Sequence, residues 1–151
     1  MTTLTPFLWF NDRAEEAAHF YISVFSDGEI LETSRNKDNA VFSLQFQIMG
    51  QKFIALNGGP HFTFNPAISL FVSCNGQEEV DSYWNQLVDG GEEGQCGWLT
   101  DKFGMSWQII PKQLGEYLGH QDRAGADRAM KAMLKMKKIE VSELKRAFED
   151  K

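Results

Sequence analysis

Residues 12–29 read DRAEEAAHFYISVFSDGE, and residues 75–92 read NGQEEVDSYWNQLVDGGE. The offset that carries Asp12 onto Asn75 also carries Glu15-Glu16 onto Glu78-Glu79, Phe20-Tyr21 onto Tyr83-Trp84 and Gly28-Glu29 onto Gly91-Glu92. Each segment opens with an Asp or Asn suited to cap a helix, followed three residues on by the glutamate of a capping box. Ala17, Phe20, Tyr21, Val24 and Phe25 then fall on one helical face of the first segment. Val80, Tyr83, Trp84, Leu87 and Val88 do the same in the second. Asp27-Gly28 and Gly90-Gly91 are helix stops. A cap, an acidic first turn, an aromatic pair and a terminal glycine matching at one offset indicate an internal duplication, which decides architecture before any local signal does.

Strands flank both helices. Pro6–Phe10 is short, aromatic and ends at Asn11-Asp12, a strand running into a helix start. After the first helix come Glu29–Ser34, the polar turn Asn36–Asn39, Val41–Met49 and, behind Gly50, Lys52–Leu56. Within Val41–Met49, Phe42, Leu44, Phe46 and Ile48 alternate with Ser43, Gln45 and Gln47, the period of a strand with two unlike faces. The second half opens with the strand Ile68–Cys74. Its Gly104-Met105-Ser106-Trp107-Gln108 aligns with Gly50-Gln51-Lys52-Phe53-Ile54. The expected fold is α+β: paired βαβββ modules, 1–60 and 65–112, with a C-terminal helical tail, 113–151, all in one domain. One helix covers one face of a sheet. Two such sheets side by side would form a curved sheet around a cleft lined by the uncovered faces. In the tail, Gln113–Leu118 reads as a short helical turn and Gly119–Gly125 as a polar connector. Ala126, Ala129, Met130, Met133 and Leu134 form a helical stripe. Val141–Glu149 is a last helix with Leu144, Ala147 and Phe148 inward. Lys131, Lys135, Lys137 and Lys138 read as a solvated face.

Composition narrows the partners. The 151 residues are 42% hydrophobic and 13% aromatic, too apolar for a disordered chain. A chain of this length buries roughly 70% of its unfolded surface without a disulfide or metal. Fifteen Lys and Arg against 21 Asp and Glu give a net charge of −6, the wrong sign for neutralising phosphates, so no nucleic-acid partner is expected. No run of 18 apolar residues exists to place the chain in a membrane. MTTLTPFLWF lacks a basic leader region, and Cys74 and Cys96 have no C-x-x-C spacing and read as reduced thiols. The expectation is a cytoplasmic protein.

The runs TPFLWFNDRAEEAAHFYISVF (5–25), NGGPHFTFNPAISLFVSCN (57–75), LTDKFGMSWQIIP (99–111) and AMKAMLKMKKIEVSELKRAF (129–148) span most of the chain. They resemble the PhnB-like subgroup of the vicinal oxygen chelate superfamily, which includes glyoxalases, extradiol dioxygenases, bleomycin resistance and fosfomycin resistance proteins. The subgroup is often described as 3-demethylubiquinone 3-methyltransferase-like. The resemblance implies a βαβββ repeat, a small-molecule cleft and a homodimer. In metal-dependent relatives His, Glu or Gln side chains of the first and last strands of each module hold a divalent ion. The corresponding positions here are Thr5 or Phe7, Ile54, Ile68 or Ser69, and Gln108. Only Gln108 can ligate, and one amide is too few for a site that takes three or four donors. No catalytic metal and no cofactor are therefore expected. Nor does a glycine-rich loop join a strand to a helix as a nucleotide-type cofactor site requires.

The candidate site residues each have two readings. Trp9, Phe71, Trp98 and Trp107 either wall an apolar pocket that stacks on a ring or fill the core. Gln45, Asn57, Ser69 and Gln108 are polar groups in apolar strands that either orient a ligand or bond within the protein. His61, in Gly-Gly-Pro-His-Phe, is the best acid–base candidate because its ordinary pKa lies near neutrality. His19 and His120 sit on a helix and in the tail connector, and no His–carboxylate pair activates Cys74 or Cys96. The composite expectation is a metal-free protein that binds a small, ring-containing molecule. The alternatives are a lyase, isomerase or dioxygenase using His61 as base or a recruited divalent metal, and a quinone-directed methyltransferase.

Overall fold

Both duplicated segments fold as helices, each laid on one face of its own four-stranded sheet. The computed structural model describes residues 1–150. The chain divides into two compact units, Met1–Phe64 and the remainder from Asn65.

The first unit contains β1 (Phe7–Phe10), α1 (Ala14–Phe25), β2 (Glu29–Arg35), β3 (Val41–Ile48) and β4 (Gln51–Asn57). The strand order is β1-β4-β3-β2, with β1 parallel to β4 and the other pairs antiparallel. Alternation sends Leu8, Phe10, Leu44, Phe46, Ile48, Phe53 and Ala55 to one face, where they are buried. Against them lie Ala17, Tyr21, Val24 and Phe25 of α1. Tyr21 meets Phe46 at 6.2 Å between ring centroids, and Phe46 stacks on Phe53 at 5.2 Å. Each such ring contributes about 1.5–3 kcal/mol by leaving water. Met49 and Gly50, both with positive φ (50° and 76°), make a two-residue turn between the paired Ile48 and Gln51.

The ends of α1 differ from the local expectation. The helix starts at Ala14 with Arg13 in the cap position, and no side chain of the first turn caps it. The cap arrives instead from β4, where Asn57 Oδ1 accepts the Ala14 N–H at 2.8 Å. The helix stops at left-handed Ser26 (φ 63°), whose N–H donates to Ile22 O at 3.0 Å. Gly28 serves close packing instead. A Cβ there would stand 2.5 Å from Gln47 O, so only glycine lets the chain pass this close to β3.

The second unit contains β5 (Ser69–Cys74), α2 (Gln77–Val88), β6 (Glu92–Glu93), β7 (Trp98–Thr100) and β8 (Ser106–Pro111). Its order, β5-β8-β7-β6 with β5 parallel to β8, repeats that of the first. The α+β fold and the duplicated strand topology are therefore as expected. The capping box expected of Asn75 and Glu78 does not form: Gly76 occupies the cap position without a side-chain cap, and it is Glu79 whose Oε1 accepts the Asn75 N–H, at 3.0 Å. Cys96 is not on a strand. It lies in the turn before β7 with a left-handed φ of 58°.

The tail forms α3 (Lys112–Leu118), α4 (Arg123–Met133) and α5 (Val141–Glu149), packed within the second unit. Ile110 of β8, Leu114, Ile139 and Leu144 make a separate apolar cluster, flanked by Tyr117, Leu118, Met133 and Met136. The connector expected at Gly119–Gly125 ends early, because Asp122 caps α4 by accepting the Gly125 N–H at 3.0 Å. Gly125 also lies where a Cβ would come within 2.7 Å of the Phe148 ring. Lys138 does not belong to a solvated face: its side chain is 25% exposed and its Nζ lies 2.8 Å from Asp81. Among the described residues no helix is long and apolar enough to cross a membrane.

Candidate functional site

Each sheet has a face without α1 or α2, and the candidate residues divide according to whether alternation brings them to it. In the first unit Phe7, Ile54, Gln45 and Glu32 form one row across the sheet, fixed by the pairings Phe7↔Ile54, Ile54↔Gln45 and Gln45↔Glu32. Phe7 is 56% exposed. Gln45 Nε2 donates to Glu32 Oε2 at 3.3 Å, so this amide has its donor engaged and its oxygen available.

Trp9, two residues along β1, shares that face but is half-buried under its own unit's loop. Its Nε1–H donates to Gly59 O at 2.9 Å, and Phe62 meets it edge-on at 5.0 Å. A Cβ at Gly58 would fall 2.4 Å from the indole, so glycine is required where the loop lies on the ring. Phe64 packs edge-on against Phe10, on the other side of β1, at 5.1 Å. The loop is thus pinned to β1 twice, and His61 rides on it, exposed and without a hydrogen bond or ion pair to any described residue.

In the second unit Phe71, Gln108 and Trp98 form the matching row, with Ser69, Ser106 and Thr100 beside it. Gln108 Nε2 donates to Ser69 Oγ at 3.0 Å, which orients the amide and leaves its oxygen without a hydrogen bond to any described residue. Phe71 is 60% exposed, and Trp98 is half-buried. A ring on a sheet face beside an oriented amide acceptor can stack on a flat molecule and bond a hydroxyl at its edge.

Two candidates serve the fold instead. Asn57 uses both ends of its amide on backbone: Oδ1 caps α1, and Nδ2 donates to Val41 O at 3.1 Å. It fastens strand to helix rather than presenting a group to a ligand. Trp107 alternates to the helix-covered face and is 1% exposed, with its Nε1–H donating to Asp101 Oδ2 at 2.8 Å. It is core rather than pocket wall. Asp101, 2% exposed, also accepts the N–H groups of Phe103 and Met105 at 2.8 and 3.0 Å, so one carboxylate organises the whole turn into β8. The sequence signal for it is Asp101-Lys-Phe-Gly104, an Asx-turn pattern. Phe7, which the sequence suggests only as a metal-facing position, is the other residue missed there: it is a ring on the open face.

Cys74 is buried, and desolvation, with a smaller contribution from the charge of Glu79, pushes its thiol pKa up to about 11. A thiol so shifted is protonated at neutral pH. His120 Nδ1 accepts the Asp122 N–H at 3.0 Å and its ring packs on Phe148, a structural role in the tail. Among the described residues no group of three or more His, Cys, Asp or Glu could hold a metal ion. The open face of the second unit offers one amide, Gln108, beside the Ser69 hydroxyl, and that of the first offers Gln45 with one carboxylate, Glu32; neither set fits a divalent cation.

A family model described as 3-demethylubiquinone-9 3-methyltransferase matches residues 2–110. The PhnB protein of Bacillus cereus is 35% identical over 73% of this chain and 99% of its own, with a TM-score of 0.68. Protein PA1353 of Pseudomonas aeruginosa is 17% identical over 74% of this chain and 98% of its own, with a TM-score of 0.61. FosX, the fosfomycin resistance protein of Listeria monocytogenes, is 18% identical over 78% of this chain and 96% of its own, with a TM-score of 0.58. The last two show the fold alone. No protein of curated function matches the chain.

Proposed function

The chain belongs to the 3-demethylubiquinone-9 3-methyltransferase family, the PhnB-like branch of the vicinal oxygen chelate superfamily, and from that premise we propose that it binds a small, ring-containing molecule without a metal. The observation that supports this is the row Phe71–Gln108–Trp98: an exposed ring, an amide held by Ser69 with its oxygen free, and an indole, on a sheet face that α2 does not cover. Phe71 and Trp98 supply stacking, Gln108 accepts a hydroxyl or amino hydrogen from the ligand, and Ser69 keeps the amide in orientation. In the first unit Phe7 and Gln45 offer the same chemistry at lower definition, with Trp9 supporting the loop beside them.

FosX has been solved with Mn(II). The comparison does not transfer that ion, because each open face here supplies one amide and at most one carboxylate where a metal takes several such donors. Methyl transfer, the activity after which the family is described, gains no support from the connections either. Asn11-Asp12-Arg13 and Asn75-Gly76, which join strand to helix in the two units, are not the glycine-rich turns of a nucleotide-type cofactor site.

A second reading, a lyase, isomerase or dioxygenase with His61 as base, draws on the double pinning of the loop that carries it. Once a turned-over substrate is in hand, His61→Ala should lower kcat at least tenfold, and an unchanged rate removes His61 from the chemistry. The primary reading is tested by titrating the purified chain with a panel of phenols and quinones, following tryptophan fluorescence and Tm. Saturable binding weakened about tenfold by Phe71→Ala and by Gln108→Ala is expected. Binding indifferent to both substitutions contradicts it. Mn, Fe, Ni or Zn should leave Tm unmoved, whereas a rise saturating at one metal per chain would overturn the metal-free reading. The proposal extends to a cytoplasmic homodimer, for which sedimentation at micromolar concentration should give twice the 17.2 kDa chain mass; a monomer contradicts it.

A further inference from the structure

The rows on the two open faces differ most at their outer strand. Phe7–Ile54–Gln45–Glu32 crosses β1, β4, β3 and β2. Phe71–Gln108–Trp98 crosses β5, β8 and β7, and the chain beside Trp98 is Gly94, whose N–H donates to Trp98 O at 2.8 Å. Gly94 has no side chain to offer, and a Cβ there would stand 2.9 Å from Trp98 O. The second row therefore ends without a charge, Glu92 lying one row away opposite Thr100. The first row ends in a carboxylate.

The Glu32 carboxylate is not neutralised inside the protein. It is exposed, its Oε2 accepts from Gln45 Nε2 at 3.3 Å, and it makes no ion pair with any described residue. Arg35, on the same strand, is turned to Glu15 of α1 at 3.8 Å and to Asn39 O at 3.1 Å. Lys52 borders the row from β4, but Glu29 shares the row of Lys52 across Gln47. With the Gln45 donor engaged, the atoms left without a hydrogen bond are acceptors: Gln45 Oε1 and the second carboxylate oxygen of Glu32. Such a pair fits a group that only donates, an ammonium above all, and repels an anion. The apolar end of the row is Phe7, 56% exposed, with the half-buried Ile54 beside it. Neighbouring strands lie about 4.8 Å apart, so Ile54 to Glu32 spans roughly 10 Å. The bond to Gln45 brings the carboxylate back over part of that gap.

We propose that Glu32 is a specificity-determining residue that gives the first unit's open face a preference for cationic aromatic molecules. The ring lies over Ile54 against Phe7, and an ammonium on a two-carbon arm donates to Gln45 Oε1 and to Glu32. The second unit's face keeps the neutral, hydroxyl-bearing rings. This rests on the open faces being the ligand surface.

The test pairs 2-phenylethylamine with 2-phenylethanol, which share ring and arm and differ in the end group, against the full chain. Backbone NMR shifts should move most at Phe7, Gln45 and Glu32 with the amine, and at Phe71, Trp98 and Gln108 with the alcohol. Glu32→Gln, a near-isosteric change at an exposed position, should weaken the amine about threefold, as loss of an exposed ion pair does, and leave the alcohol unchanged. Raising NaCl to about 0.5 M should weaken the amine alone in the native chain. Glu92→Gln, which removes the same charge beside the second row, should alter neither affinity. An amine affinity that Glu32→Gln leaves unchanged, or that Glu92→Gln lowers equally, overturns the inference, because the attraction then belongs to the net charge of −6 rather than to this carboxylate. If the alcohol is still bound in that case and Phe71→Ala weakens it, the reading of the open faces survives alone. Shifts at neither row with either compound overturn both.

Discussion

Leu56 in the first unit and Ile110 in the second occupy matching places in the repeat, two residues beyond Ile54 and Gln108, yet only Ile110 is buried by a tail. The strands around them differ in the same sense. The first unit builds its outer hairpin from seven- and eight-residue strands, β2 and β3, while the second has stubs of two and three, β6 and β7. A sheet with such short outer strands offers little apolar surface of its own, and Ile139, Leu144 and Leu114 supply what it lacks. Duplication fixes strand order and the side on which the helix packs. It does not fix what happens on the other side, and that is where the two copies acquire different chemistry.

The turns before the last strand of each unit should show the difference most strongly. In the second unit Asp101 holds three N–H groups inside the protein, and Asp101→Ala would remove the carboxylate that accepts from Trp107 Nε1 and two backbone N–H groups. The expected loss is about 3 kcal/mol by urea denaturation. Gly50→Ala in the equivalent turn of the first unit meets no atom within 4 Å and forces only an unfavourable φ, costing about 1 kcal/mol. Equal losses would mean that the two turns are held alike. Next in size is Asn57→Ala, expected to lower stability by about 1–2 kcal/mol through the lost cap on α1. Its effect on phenol affinity should be nil, whereas Gln108→Ala should weaken binding and scarcely move Tm. Reversed outcomes would exchange the roles assigned to the two amides.

How much of this is legible in the sequence depends on the range of the interaction. The helix faces, the strand alternation of β3 and the aromatic pair at matched offsets are short-range patterns, and they survive into the fold except at Phe42, which is 52% exposed while Leu44, Phe46 and Ile48 are buried. The start of α1 escapes a local reading because its cap comes from Asn57, 43 residues away, a partner that no local window contains. Trp107 and Phe71 are both aromatic residues in strands. Only the pairing of Phe71 with Gln108 and of Leu70 with Trp107 shows that they point to opposite faces. Ile139 sits between two polar neighbours in a lysine-rich stretch, and burial there is dictated by tertiary contact rather than periodicity.

The smallest effect concerns the latch between tail and α2. The hydrogen bond from Lys138, then that from Gln77, holds Asp81 below the usual carboxylate range, and the bond to Asp81 raises Lys138 above its ordinary value. A carboxylate held low stabilises above its unfolded pKa and loses that contribution as pH falls through the lowered value. An ammonium held high stabilises below its unfolded pKa and loses it as pH rises through the raised value. Amide exchange at Met136–Val141 should therefore be slowest between about pH 4 and 10 once corrected for intrinsic rates. Lys138→Ala should remove this dependence at a cost of no more than about 1 kcal/mol, since both groups are partly exposed. A corrected exchange profile that Lys138→Ala leaves unchanged would show that the pair does not hold the tail.

The sharpest test of the central claim, that the sheet faces opposite α1 and α2 hold the ligand, is a map of NMR shift changes along the backbone as phenol is added. The largest changes should fall on Phe71, Trp98 and Gln108, with smaller ones at Phe7 and Gln45 and none along α1 or α2. Changes confined to the helices, or spread evenly over the chain, would contradict it.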